Sequence, residues 1–74
     1  MVRVSVDCTD LDEAKAEVSR RGGFVTSSVA RGPAGGNAHL KAEFPDRESA
    51  MGFLRWYAGD DDHEDELERL YVED

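Results

Sequence analysis

The stretch Gly59-Asp60-Asp61-Asp62-His63-Glu64-Asp65-Glu66-Leu67-Glu68-Arg69-Leu70-Tyr71-Val72-Glu73-Asp74 decides how this chain folds. It supports two readings. In one, Asp60 to Asp65 is a charged loop leading to an edge strand near Glu68 to Glu73, which completes an element order β-α-β-β-α-β. In the other, the acidic residues are the first turns of a third helix, where the macrodipole favours carboxylates, and Leu67, Leu70 and Tyr71 fall at i, i+3 and i+4, giving β-α-β-β-α-α. The same stretch also decides the electrostatics. It holds nine carboxylates against Arg69 alone and so accounts for the whole formal charge of −8, leaving Met1 to Ala58 balanced. One-sided concentration of this kind creates a local negative field suited to a basic partner.

Working outward, five elements precede the stretch. Val2, Val4 and Val6 alternate with Arg3, Ser5 and Asp7, the period-two pattern of a half-buried strand. Thr9 and Asp10 are N-cap residues with Asp12 and Glu13 three positions on, so a helix begins there and buries Leu11, Ala14 and Val18. Arg20 and Arg21 complement its C-terminal dipole and Gly22-Gly23 ends it. Phe24 to Arg31 and Ala38 to Phe44 read as two strands joined across the turn-rich Gly32-Pro33-Ala34-Gly35-Gly36-Asn37. Pro45 stops the second of these and Asp46 caps another helix, in which Ala50, Met51, Phe53, Leu54, Tyr57 and Ala58 share one wide stripe.

With a strand in the final position, this order resembles the ferredoxin-like split βαβ arrangement. That resemblance implies an α+β fold: a single antiparallel sheet with two helices on one face. The strand is preferred because it fills the usual fourth place. The alternative with an acidic C-terminal helix stays open, since Glu, Leu and Arg are good helix formers. Seventy-four residues make one domain, 1–74, with the acidic segment 59–74 at its end, near the lower size limit for a self-supporting core. A single cysteine and the lack of any long apolar stretch lead us to expect a cytoplasmic, soluble protein with no membrane association. The charge sign argues against direct nucleic-acid binding. Seven of the nine basic residues are Arg, a usage that also fits a salt-adapted organism in which acidity serves hydration.

The expected docking residues are Asp60, Asp61, Asp62, Glu64, Asp65, Glu66 and Glu68, with Trp56 as apolar anchor. As a helix the tail spans ~22 Å, or one net charge per ~3 Å, close to the ~3.4 Å phosphate spacing of one DNA strand, whereas an extended tail dilutes this to one per ~6 Å. Asp7, Asp10, Asp12, Glu13 and Glu17 can add to the same field. Trp56 falls about 240° around its helix from Ala50, outside the apolar stripe. It is therefore either partly exposed or covered by Leu70 or Tyr71.

Other candidates are weaker. Cys8 sits at a helix start, where thiolate is favoured, but only His39 and His63 are available as bases and both are expected to face solvent; Cys8 is read as a packing residue. Asp60, Asp62, Glu64 and Glu66 fail the calcium-loop test because Asp65 stands where Gly is needed and Tyr71 where a bidentate Glu is needed. The glycine-rich Gly32 to Gly36 joins two strands, whereas a phosphate cradle leads into a helix.

No catalytic site, metal or cofactor is expected, and the chain is not expected to be an enzyme. The function expected is protein binding: an acidic module docking on a basic, nucleic-acid-binding surface. In size and charge the chain resembles phage-encoded inhibitors of CRISPR or restriction systems, which implies occlusion of such a site. The alternative is a ferredoxin-like regulatory or housekeeping domain of a salt-adapted organism, homodimeric through a sheet edge or face.

Overall fold

In the computed structural model, which describes residues 1–30, 37–59 and 63–73, seven elements follow one another. They are β1 (Val2–Cys8), α1 (Leu11–Arg20), β2 (Phe24–Val29), β3 (Ala38–Phe44), α2 (Arg47–Ala58), α3 (Glu64–Tyr71) and β4 (Val72–Glu73). The strands form one antiparallel sheet in the order β2-β3-β1-β4. Its centre is the β1–β3 pair, in register from Val2 opposite Phe44 to Cys8 opposite Ala38. Alternation puts Val4, Val6 and Cys8 on the same face as Ala38, Leu40, Ala42 and Phe44, all buried. The three helices cover that face, adding Ala14, Val18, Ala50, Met51, Phe53, Leu54 and Leu67 to one core.

The local signals act as their chemistry dictates. Asp10 accepts a hydrogen bond from the Glu13 backbone N–H at 3.1 Å, and Asp46 accepts one from Ser49 at 2.7 Å, so each satisfies an orphan donor of its helix. After α1 the chain passes through Gly22 at φ 82°, and the Gly23 N–H bonds back to the Val18 carbonyl at 2.9 Å. Gly23 is required for a second reason: a Cβ there would lie 2.6 Å from the Phe44 ring. Glu17, expected to join the acidic surface, is instead only 4 % exposed. Its carboxylate is gripped by Arg20 and, at 2.8 Å, by Arg21, so the burial of charge is compensated.

β2 ends at Val29, two residues short of the expected limit, and carries a bulge at Thr26, whose hydroxyl donates to the Lys41 carbonyl at 3.3 Å. The extra residue resets the alternation. Val25 and Ser28 thus stand opposite Ala42 and Leu40, while Phe24 and Val29 stand opposite Glu43 and His39 on the uncovered face. The expected turn Gly32–Asn37 lies, except for Asn37, outside the described residues, as does Arg31.

The expected six-element ferredoxin-like order is corrected. The chain reads β-α-β-β-α-α-β, with three helices. Each reading of the tail captures a part of it: Glu64–Tyr71 is helical, and only Val72–Glu73 pairs with Arg3 and Val4 as an edge strand. Helix formers, an acidic first turn and Leu67 pointing at the core outweigh strand formation until the β-branched Val72. The apolar stripe is narrower than expected, since Leu67 is buried but Leu70 is 62 % exposed.

Candidate functional site

A cleft of about 540 Å³ opens where β1 ends and α1 begins, and α2 brings two aromatic rings to it. Trp56 and Tyr57 line it together with Asp7, Asp10 and Glu13, and Cys8 lies at its edge. Trp56 owes its position to the helical phase anticipated above: it is half-buried, one side of the indole packing on the Phe53 ring at 5.7 Å between centroids. Cover from the C-terminus is given instead to Tyr57, whose ring meets Tyr71 edge-on at 5.3 Å. The Tyr57 hydroxyl donates to the backbone carbonyl of Asp7. Tyr57 therefore ties the cleft to α3, and burial, followed by the neighbouring Tyr71, Asp7 and Cys8, pushes its phenol pKa up.

The expected docking residues that are described do not form one strip. Asp60, Asp61 and Asp62 lie outside the described residues. Glu64 is paired with Arg55, and Glu68 receives two hydrogen bonds from Arg47 at 3.2 and 2.5 Å. The Arg47 contact holds the Glu68 carboxyl below its usual range and raises the guanidinium in return. These two carboxylates fasten α3 to α2. Asp65 and Glu66 project from the exposed side of α3. The carboxylates that share the cleft with Trp56 are thus Asp10 and Glu13 at the start of α1, where Asp10 is also engaged as the helix cap, while the Asp7 carboxylate turns to His39 on the other face of the sheet.

Cys8 is buried and free, and its thiol pKa is raised, first by burial and then by Asp7 and Asp10. A nucleophilic thiolate needs the opposite environment. His63 is exposed and His39 lies on the uncovered face of the sheet, where it is held between two side chains of β1. Among the described residues no group of three or more His, Cys, Asp or Glu side chains could hold a metal ion, and no helix is long and apolar enough to cross a membrane. Sequence periodicity could find Trp56 but not its acidic neighbours, because nothing in the linear pattern says that the start of α1 faces the end of α2.

In comparisons with known proteins, the chain matches no protein-family model, no curated protein and no solved structure.

Proposed function

We propose that this protein is a small acidic binding module that docks on a basic surface of a partner protein and, where that surface serves nucleic acid, occludes it. The observation that carries this reading is Trp56, half-exposed in a cleft rimmed by the carboxylates of Asp10 and Glu13. A partly desolvated indole is the kind of group that anchors an interface, and surrounding carboxylates steer a cationic partner toward it. Asp65 and Glu66 extend the negative field along α3, which Tyr57 and Tyr71 hold beside the cleft. With Glu64 and Glu68 occupied by Arg55 and Arg47, the centre of docking shifts from the C-terminal strip toward Trp56. Nothing in this reading requires catalysis or a cofactor.

The test is affinity capture from the native host, comparing the intact chain with Trp56→Ala and with Glu13→Gln combined with Asp65→Asn and Glu66→Gln. Captured nucleic-acid-binding proteins should be lost from both variants, and intact binding should weaken from low to moderate salt because screening acts within ~8–10 Å at physiological ionic strength. Retention of the same proteins by both variants removes the proposal. If added salt raises the melting temperature while neither variant changes capture, the reading as a salt-adapted regulatory domain replaces it.

A further inference from the structure

The uncovered face of the sheet carries a hydrogen-bonded series that docking leaves unused. Asp7 on β1 stands directly opposite His39 on β3, and Ser5 is the diagonal neighbour of that histidine, two residues back on the same face. The Asp7 Oδ1 lies 2.8 Å from His39 Nδ1, and His39 Nε2 lies 2.8 Å from Ser5 Oγ. An ionised carboxylate can only accept, so Nδ1 carries the proton and donates to Asp7; the Nε2 lone pair is left to accept from the Ser5 hydroxyl. Nucleophile, base and orienting carboxylate are therefore connected in the sense that activates a serine. Lys41 is the cross-strand partner of Ser5 on that face, and its ammonium is turned to Glu73 at 3.8 Å.

We propose that Ser5 is an activated nucleophile that accepts acyl groups from small, unhindered activated esters. As Ser5 Oγ attacks the carbonyl carbon, its proton passes to His39 Nε2, Asp7 stabilises the imidazolium and water on the open face solvates the developing oxyanion. The new Oγ–acyl bond forms as the ester C–O bond breaks. The alkoxide or phenolate departs with the bonding pair, and the proton leaves His39 for it or for solvent. An open face offers little to select the donor, so the acyl class is set by reactivity rather than shape.

Treatment of the intact chain with p-nitrophenyl acetate, followed by peptide mapping, tests this. Ser27 is an internal reference, because it stands on the same face opposite Lys41 without an imidazole hydrogen bond. Ser5 should acetylate at least ~10²-fold faster than Ser27, the low end of general-base contributions. His39→Gln should reduce Ser5 toward the Ser27 rate, and Asp7→Asn should slow it as well. Acetyl groups confined to Lys15, Lys41 or the amino terminus, or equal rates at Ser5 and Ser27 in the unmodified chain, overturn the proposal. Because that comparison is made within one folded protein, it stands even if a variant unfolds.

Discussion

α2 and α3 lie side by side, yet they are held by different forces. α2 buries Ala50, Met51, Gly52, Phe53 and Leu54, starts on an Asp46 cap and ends at a left-handed Gly59. α3 buries Leu67 alone, has no side-chain cap, and is fastened by Arg55–Glu64, Arg47–Glu68 and the Tyr57–Tyr71 contact. Burial of a Phe or Leu side chain stabilises by ~1.5–3 kcal/mol, whereas an exposed ion pair contributes ~0–1 kcal/mol and is screened by salt. The difference teaches that the sheet with α1 and α2 is the cooperative body of the protein, and α3 with β4 is an attachment whose strength depends on ionic conditions.

The strongest attempt to break this contrast is Phe53→Ala, which should cost ~3–5 kcal/mol and lower the melting temperature of the whole molecule. Leu67→Ala should cost ~2–3 kcal/mol, but mainly as faster amide exchange over Glu64–Glu73 with β1 and β3 still protected. Uniform acceleration through β1 and β3 would mean the two regions are one unit. Gly23→Ala forces a methyl group against Phe44 and should destabilise the body by ~1–3 kcal/mol in a denaturant titration. The smallest effect should come from acid. The Glu68 carboxyl is depressed in the folded state, so its contribution is present above the unfolded value and lost as pH falls through the lower folded value. Exchange over α3 should therefore rise on acidification into that range, and Glu68→Gln should remove this part of the response.

Elements whose ends carry strong local chemistry were readable in advance. The Val2-Val4-Val6 alternation, the Asp10 and Asp46 caps, and the Gly22-Gly23 stop appear where expected, because capping and alternation are satisfied by neighbours along the chain. The tail was less readable, since a helix and a two-residue strand meet at Tyr71–Val72 and the edge of β1 supplies the pairing. The candidate sites follow the same division. Trp56 could be placed outside the apolar stripe by helical phase, whereas its acidic neighbours and the pairing of Glu64 and Glu68 depend on packing. The Asp7, His39 and Ser5 series depends on strand register, and a shift of one residue would send His39 to the opposite face. Glu17 was misplaced because its burial depends on how α1 packs, although its pairing with Arg20 and Arg21 at i+3 and i+4 follows from helical spacing alone.

Cys8 is the chain's sole thiol, buried at the end of β1, and its reactive anionic form is suppressed there. Alkylating reagents thus find it chiefly when the central strand is uncovered, which makes the rate of thiol blocking a clock for opening of the body. Run beside a readout of the tail, that clock would time the two events separately in one unlabelled chain.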